Sequence, residues 1–281
     1  MTGITINGKT SIYGIIGNPV SHSFSPDMQT HAFQSLGLNS VYLPFPTEED
    51  NLPLLLDAFR ITGVRGFNVT VPFKEKIIPY LNVLSKDAEI LGSVNTVIFG
   101  SNGWKGYTTD GSGFIRSLKE SRIDISGKRV LLIGAGGSAK AVSLSLAQNK
   151  VSSIHINNRT VEKAERLSGI LLKENPNLNV EVNPDSNEKY DILINSTSVG
   201  MQDEECPVSE AVIRNCKRVI DIIYNPLTTP LLQIAIQNGI PCDNGIGMLL
   251  YQGVEAFEIW TGKKAPVILM KERLMKSFKS T

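Results

Sequence analysis

A continuous apolar run that leads into a glycine-rich turn and then a helix constrains the fold of this chain more than any other feature. The run 130–133 (VLLI) is apolar at every position, which predicts a strand buried on both faces of a parallel sheet. The turn 134–139 (GAGGSA) follows directly and leads into a segment of helical composition. Further strand-like runs at 153–157, 191–195 and 218–222 extend the alternation. The pattern predicts a doubly wound α/β sheet in this part of the chain.

The N-terminal part alternates strand and helix in the same way. Strands are predicted at 12–17, 41–43 and 66–71, and helices from about Pro26 and from about residue 48 to just before Gly63. Pro26 suits the first turn of a helix, whereas Pro72 argues against continuing the third strand inside a sheet. This alternation also favours a parallel sheet.

A predicted hairpin and a later change of pattern suggest where the domains divide. The turn GSNG separates two strand-like runs, 93–99 and 104–107, as in a β-hairpin. From about Gly111 the pattern passes to the second series of strands. We therefore expect two α/β domains, a first at 1–112 completed by C-terminal helices at 246–281 and a second, Rossmann-like one at 113–245.

Composition limits the classes of partner. The formal net charge is +1, with 41% hydrophobic and 20% charged residues, so no general attraction to nucleic acid or to an anionic membrane is expected. The three cysteines and three histidines lack the paired spacing of a zinc site, and we expect no metal. The N-terminus lacks a signal-peptide pattern, and no apolar run reaches the roughly 18 residues of a membrane span. These features predict a cytoplasmic protein.

The glycine-rich turn matches a G-x-G-x-x-A fingerprint in the context that the fingerprint requires, after a buried strand and before a helix. Gly134 permits the tight turn, Gly136 lets the backbone approach a pyrophosphate, and Ala139 lets helix and strand pack closely. The helix N-terminus adds N–H donors and positive dipole charge. The turn therefore predicts a dinucleotide site, with an ordinary strand-to-helix turn as the alternative.

The end of the next strand indicates which dinucleotide binds. NAD sites usually carry Asp or Glu there to accept a hydrogen bond from the ribose 2′-hydroxyl. This chain has Asn158, Arg159 and Thr160, with Lys163 beyond. An arginine can pair with a 2′-phosphate and stack on adenine, which favours NADP. The alternative is a solvated loop arginine.

Polar residues of the N-terminal part stand at strand and helix ends. Ser23 and Ser25 precede a helix, where they could bind a carboxylate or simply cap the helix. Asn68 and Thr70 share one strand face. Asn95 and Thr96 interrupt an apolar strand. Their burial destabilises the fold unless their polar groups are hydrogen-bonded.

A lysine and an aspartate are candidates for proton transfer. Reduction of a ketone needs a proton for the developing alkoxide. Lys74, with Asp110 as its carboxylate partner, could supply it. A surface ion pair is the alternative for these two residues.

Taken together, the motifs strongly resemble the shikimate dehydrogenase family over nearly the whole chain. They occur in the family's order: SHSFSP, GFNVTVPFK, SVNTV, TTDGSGF, GAGGSAK, NRT, NSTSVGM, DIIYNPLTTPLL and NGIGMLLYQ. The resemblance implies two α/β domains around a cleft, the second a Rossmann-like doubly wound parallel sheet. It also implies reversible reduction of 3-dehydroshikimate to shikimate with NADPH, in the pathway to chorismate and the aromatic amino acids.

The resemblance also implies roles for individual residues. Lys74 and Asp110 match the catalytic pair. The substrate-binding residues would be Ser23, Ser25, Thr70, Asn95, Tyr224 and Gln252, with Asn68 as an addition. The cofactor-binding residues would be Gly134, Ala135, Gly136, Gly137, Ser138, Asn158, Arg159, Thr160, Lys163, Thr197, Met201, Ile222, Gly245 and Met248. Lys163 stands where the family commonly has arginine, which implies a weaker phosphate contact there.

Three other functions remain open. A quinate or quinate/shikimate dehydrogenase often has Thr at the second serine and an acidic residue in the arginine region, and Ser25 and Arg159 argue against it. A non-catalytic sensor that binds the same acid would have lost the Lys74 and Asp110 pair or gained a DNA-binding segment. A distant dehydrogenase-like protein with another polyol substrate would have lost the serine pair, which this chain keeps. The sequence leaves open whether the protein is a monomer or a homodimer.

Overall fold

The structure is a computed structural model that describes residues 6–185 and 187–280; the side chains of 279 and 280 are not described. Residues 1–5 lie outside the described residues. They are part of the N-terminal segment whose composition argues against a signal peptide. The chain forms two compact units. The first unit comprises the chain up to Thr109 together with the segment from Gln252 onward, and the second unit is Asp110–Tyr251.

Before the chain enters the second unit, the described residues of the first unit form six strands and three helices. In chain order they are β1 Ser11–Gly17, α1 Ser25–Ser35, β2 Ser40–Pro46, α2 Leu52–Thr62, β3 Gly66–Val69, β4 Val83–Leu84, α3 Lys86–Leu91, β5 Thr96–Gly100 and β6 Gly103–Tyr107. Two short 3-10 turns lie at Glu49–Asn51 and Ile78–Tyr80.

The sheet of the first unit has the order β2-β1-β3-β5-β6-β4. Strands β1, β2 and β3 are parallel, as the alternation predicts. The predicted hairpin is β5 and β6, and β5 is antiparallel to both β3 and β6. The sheet is therefore mixed rather than parallel throughout, because the tight GSNG turn joins neighbouring strands without a crossover helix.

The third strand is shorter than the sequence pattern predicts. It ends at Val69 rather than at 71. The chain then turns at Pro72, which has no N–H for a sheet ladder, and the Phe73 side chain enters the core. Phe67 on β3 packs edge-to-face against Phe59 of α2 and against Trp104 of β6, at 5.3 and 5.2 Å between ring centroids. These contacts fix the end of β3, from which the polar residues 68–74 extend.

The second unit is a parallel sheet with helices between its strands. Its elements are α4 Asp110–Glu120, β7 Arg129–Ile133, α5 Gly137–Gln148, β8 Ser153–Asn157, α6 Val161–Glu174, β9 Asn179–Val182, β10 Ile192–Asn195, α7 Glu210–Arg214, β11 Val219–Asp221, α8 Pro230–Gln237 and β12 Cys242–Asp243. The unit boundary falls within α9 Ile246–Thr261, and α10 Val267–Ser280 follows in the first unit.

All six strands of the second sheet run parallel, in the order β12-β11-β10-β7-β8-β9. The chain passes from β7 to β8 on one side and later returns to β10 on the other. The carboxyl ends of β7 and β10 therefore form the switch point at which ligands bind in open α/β sheets. The glycine-rich turn lies directly at this point. None of the helices in the described parts of the chain is long and apolar enough to cross a bilayer.

Candidate active site

The turn after β7 has a backbone conformation that requires glycine. Gly134 has a φ of 108°, which is unfavourable for residues with a side chain. A Cβ at this position would lie 2.8 Å from the Ser196 hydroxyl and 3.0 Å from the Thr197 methyl group. The Gly134 N–H donates to the Asn157 carbonyl at 2.8 Å. The sequence therefore carries glycine here because the turn passes directly against the loop that follows β10.

The N-terminus of α5 is open to solvent. Gly136 and Gly137 are exposed, and a Cβ at either position would meet no atom within 4 Å. Gly136 is the N-cap, and no side chain caps the helix. Ala139 is fully buried and lets α5 pack against the sheet. Free backbone N–H groups and the helix dipole at such an end suit an anionic group.

The segment after β8 presents cationic side chains. Asn158 is held in place because its backbone N–H donates to Asn183 Oδ1 at 2.9 Å and its side chain donates to the Thr160 carbonyl at 2.7 Å. Arg159 and Lys163 are exposed. Neither side chain forms an ion pair with any residue that the structure describes. Two exposed cationic side chains therefore lie in the segment after β8, the strand that neighbours β7 and its glycine-rich turn.

A buried hydrogen-bond network supports the loops after β10 and β11. Asn195 donates from Nδ2 to Asp221 Oδ1 at 3.0 Å, and its own Oδ1 accepts from the Thr197 N–H and hydroxyl at 3.0 and 2.7 Å. Asp221 also accepts from the Ile223 N–H at 3.0 Å and from the Thr229 hydroxyl at 2.7 Å. Burial raises the pKa of the Asp221 carboxyl, and these donors partly offset that effect.

The remaining candidates of the second unit lie on the loops after β10 and β11 and at the start of α9. Met201 is exposed, Ile222 and Tyr224 are half-buried, and Met248 is buried. Burial raises the pKa of the Tyr224 phenol. Gly245 packs so closely against the Ile222 carbonyl that a Cβ would overlap it.

In the first unit, several predicted polar residues form one buried network. Asn68 donates from Nδ2 to the Asn95 carbonyl at 3.0 Å and to Thr96 Oγ1 at 2.9 Å. Asn95 donates from Nδ2 to Thr109 Oγ1 at 3.0 Å, and its Oδ1 accepts from the Thr109 N–H at 2.8 Å. The Thr109 hydroxyl donates to the Gln252 carbonyl at 3.0 Å. The polar groups of Asn95 and Thr96, at the start of β5, are therefore hydrogen-bonded within the protein.

The two serines before α1 differ in their surroundings. The Ser23 hydroxyl accepts from the Ser25 N–H at 3.3 Å, so it satisfies one of the free donors of the helix start. Ser25 is buried, and its side chain lies beside the phenol of Tyr42. Ser23 thus partly follows the capping alternative, whereas Ser25 belongs to the buried polar network.

The candidate catalytic residues lie in different units. Lys74 is half-buried, and its backbone is held because the Val94 N–H donates to the Lys74 carbonyl at 2.8 Å. Thr70 is also half-buried, and its N–H donates to the Ile16 carbonyl at 2.9 Å. Asp110 is buried and is the first residue of α4, where a carboxylate interacts favourably with the helix dipole. Neither Lys74 nor Asp110 has the exposure of a typical surface ion-pair residue.

Three supporting residues were not singled out as site residues from the sequence. Tyr42, Thr109 and Asp221 are fully or almost fully buried and are hydrogen-bonded to candidate residues or their neighbours. Thr109 and Asp221 lie within the TTDGSGF and DIIYNP motifs, so the motifs carried a signal for them. Tyr42 carried none, because a tyrosine in a predicted strand is usually a core residue.

One further group of potential metal ligands lies away from these loops. In the described parts of the chain, His155 Nδ1 and carboxylate oxygens of Glu181 and Glu188 lie within 4.8 Å of one another. Arg129 forms an ion pair with Glu188, and the Tyr190 hydroxyl lies 3.2 Å from His155 Nδ1. The guanidinium already compensates that carboxylate, so the group forms an ion-pair cluster.

Comparison with known proteins agrees with this geometry. Three family models match: the shikimate dehydrogenase substrate binding domain at residues 15–97, shikimate / quinate 5-dehydrogenase at 117–222 and the shikimate 5'-dehydrogenase C-terminal domain at 245–275. A shikimate dehydrogenase (NADP(+)) from Pyrococcus furiosus is 43% identical over 266 residues, which cover 95% of this chain and 96% of the relative.

Solved structures match over the same length. A shikimate dehydrogenase in complex with NADP+ has a TM-score of 0.91 and 39% identity, and the match covers 98% of each chain. A shikimate 5-dehydrogenase from Listeria monocytogenes in complex with shikimate and NAD has a TM-score of 0.87 and 37% identity, covering 95% of this chain and 97% of the other. Fold and site define an α/β dehydrogenase with a Rossmann-type unit. The chain belongs to the shikimate dehydrogenase family.

Proposed function

We propose that this chain is an oxidoreductase that catalyses the reversible, NADPH-dependent reduction of 3-dehydroshikimate to shikimate. The observation that carries the proposal is the family match over almost the whole chain, together with the open glycine-rich helix start at the switch point of the second sheet. The reaction would serve the biosynthesis of chorismate and the aromatic amino acids.

The residues at the second-sheet switch point fit NADP. Exposed Gly136 and Gly137 leave room for a pyrophosphate against the free N–H groups of α5, with Gly134, Ala135 and Ser138 completing the turn. Arg159 would pair with the 2′-phosphate, assisted by Asn158, Thr160 and Lys163. Thr197, Met201, Ile222, Gly245 and Met248 would contact the nicotinamide half. When bound, the cofactor supplies the hydride.

The chain itself has to supply a proton and hold the substrate. As the carbonyl carbon accepts a hydride, its oxygen gains a proton and becomes a hydroxyl. The Lys74 ammonium would donate that proton in the reductive direction and accept it in the oxidative direction. Asp110 would orient Lys74 and accept a hydrogen bond from an adjacent hydroxyl. The burial of Asp110 and the partial burial of Lys74 support these roles.

We assign substrate recognition to a set of polar side chains. Ser23, Ser25 and Tyr224 would bind the carboxylate, and Thr70, Asn95 and Gln252 the ring hydroxyls, with Asn68 as an additional contact. Hydroxyl and amide groups in fixed positions suit a small polyol acid. A substrate that lacks one of the hydroxyls would leave the corresponding protein group buried without a hydrogen-bond partner, which weakens its binding. Ser25 and Arg159 favour shikimate with NADP over quinate with NAD.

The wider setting is also a proposal. We expect one domain at 1–112 completed by 246–281 and a second domain at 113–245. We also expect the protein to act in the cytoplasm, as a monomer or a homodimer. No nucleic acid or membrane partner is proposed, since the net charge of +1 offers no general attraction to either.

Identification of the reaction product tests the proposed function. The purified chain is incubated with shikimate and NADP, and the product is identified by mass spectrometry and by the absorbance of its conjugated ketone. The proposal expects 3-dehydroshikimate in a one-to-one ratio to NADPH. Formation of NADPH with a different oxidised product would contradict the substrate assignment.

A further inference from the structure

A buried tyrosine of the first unit contacts two of the proposed substrate-binding residues. Tyr42 lies on β2 and is 1% exposed. Its hydroxyl donates to Asn68 Oδ1 at 2.7 Å. The Ser25 side chain lies beside the phenol and partly offsets the rise that burial causes in its pKa. The backbone N–H of Tyr42 donates to Thr30 Oγ1 at 3.0 Å, which anchors β2 to α1.

The partners of Asn68 fix the direction of each hydrogen bond. The Asn95 carbonyl can only accept, so the Asn68 atom 3.0 Å from it must be the amide nitrogen. The second amide proton is used at Thr96 Oγ1. Asn68 Oδ1 therefore faces Tyr42 as an acceptor, and the single phenolic proton of Tyr42 is committed to it. Burial raises the pKa of Tyr42 well above its usual value, so this proton stays in place.

The same reasoning assigns the Ser25 hydroxyl. Because the Tyr42 proton is committed to Asn68, the Tyr42 oxygen can act only as an acceptor toward the neighbouring Ser25 hydroxyl. A carboxylate that binds at Ser25 would take the serine proton away from Tyr42. The hydrogen bond from Tyr42 to Asn68 remains when the Ser25 proton turns to the ligand. Asn68, rather than Ser25, is thus the residue that receives the Tyr42 proton.

We propose that Tyr42 is a positioning residue that holds the Asn68 amide with its oxygen directed to accept a substrate hydroxyl. This inference rests on the proposed function. Both protons of the Asn68 amide are already used inside the protein, so Asn68 can offer a ligand only a remaining lone pair of Oδ1. Without the phenol, that oxygen loses its buried donor, and only the two amide-proton bonds still orient the side chain.

Tyr42→Phe tests the proposal, because it removes the hydroxyl and keeps the ring. Asn68 would contact a ring hydroxyl in both the ground state and the transition state, so the loss should appear in KM. We expect the KM for shikimate to rise about five- to tenfold, with kcat within about twofold and the KM for NADP unchanged. An unchanged KM for shikimate, or an equal rise in both KM values, would overturn the proposal.

Tyr13→Phe is the matched control. Tyr13 is the register partner of Tyr42 on β1 and is also buried. Among the described residues, no hydrogen bond is formed by the Tyr13 hydroxyl. The variant should keep the wild-type KM for shikimate. An effect as large as that of Tyr42→Phe would mean that any hydroxyl removed from this pair of strands weakens the site, and would overturn the assignment.

A double-mutant cycle separates action through Asn68 from a general effect on the fold. In an Asn68→Ala background, Tyr42→Phe should change the KM for shikimate by less than about twofold, whereas in a Ser25→Ala background its effect should persist. A full effect in the Asn68→Ala background would refute the inference.

Calorimetric titration with shikimate measures substrate binding by the wild type and by each variant in the absence of turnover. A wild-type protein that binds shikimate without oxidising it refutes the proposed function alone, and one that does neither refutes both.

Discussion

Asn195 and Asp221, both fully buried, form a 3.0 Å hydrogen bond that joins the carboxyl ends of β10 and β11. Through its other contacts the same carboxylate holds the Ile223 N–H and the Thr229 hydroxyl. One side chain therefore organises the two loops that carry Thr197 and Tyr224. The aspartate of the DIIYNP motif acts as a structural support for the candidate site.

Removal of the Asp221 carboxylate should destabilise the second unit. Asp221→Ala would leave three donors without a buried acceptor, and we expect the free energy of unfolding to fall by about 2–4 kcal/mol. Asp221→Asn should cost less, because the Thr229 hydroxyl can turn to accept from the new amide. Urea unfolding followed by circular dichroism measures both. If the alanine variant is as stable as the asparagine variant, the network does not support the loops.

Replacement of Arg159 should weaken cofactor binding specifically. A charge-assisted hydrogen bond to a phosphate contributes about 1.5–3 kcal/mol, so Arg159→Ala should raise the KM for NADPH by about tenfold or more. The KM for 3-dehydroshikimate should change little. Arg166→Ala is the control, since Arg166 is another exposed arginine a few residues further along, on α6. Steady-state kinetics with each substrate varied in turn provide the test, and wild-type use of NADPH by Arg159→Ala would rule out the 2′-phosphate contact.

Replacement of Lys74 should affect the chemical step. Lys74→Met keeps the length of the side chain and removes the proton donor, so kcat should fall by about a thousandfold or more. NADPH affinity, measured by fluorescence titration, should stay near the wild-type value. Lys76→Met is the matched control, because Lys76 lies two residues further on and pairs with Glu49. A Lys74→Met variant that retains most of its activity would exclude the proton-transfer role.

His155 should make the stability of the second unit depend on pH. Burial lowers the pKa of the imidazole, although Glu181 and Glu188 oppose the effect. Below the unfolded-state pKa, near 6.5, the unfolded chain binds a proton that the folded chain takes up only at lower pH. The free energy of unfolding should therefore fall as the pH drops from about 7 toward 5, by about 1.4 kcal/mol for each unit of pKa difference.

The variant His155→Gln should flatten this part of the stability profile. His22→Gln should keep the wild-type slope, because His22 is exposed. Urea unfolding at a series of pH values measures the slope. A His155→Gln variant whose slope equals that of wild type would assign the pH dependence to other groups.

Local features of the fold could be predicted from the sequence, because their causes lie within a few residues. The strand, glycine turn and helix at 130–148 and the hairpin of β5 and β6 are examples. The short strands β9 and β12 escaped prediction, since four and two residues carry too little alternation. The parallel sheet predicted for the first unit was only partly right because the hairpin adds antiparallel strands.

The buried networks could not be derived from spacing. Tyr42 and Asn68 are 26 residues apart, as are Asn195 and Asp221, and only strand order brings each pair together. The sequence identified Asn68 through its motif but gave no reason to connect it with Tyr42. The assignments of Lys74, Asp110 and the other site residues stay predictions for the experiments above.

The most direct test is the rate at which NADPH or NADH forms, measured at the reduced-nicotinamide absorbance band with the wild-type chain and four substrate pairs. Shikimate and quinate are each supplied with NADP or with NAD at equal concentrations. The account predicts rapid reduction with shikimate and NADP, and little with quinate or with NAD. Faster reduction with quinate or with NAD would identify a quinate-type dehydrogenase, and no reduction with any pair would contradict the proposed enzymatic function.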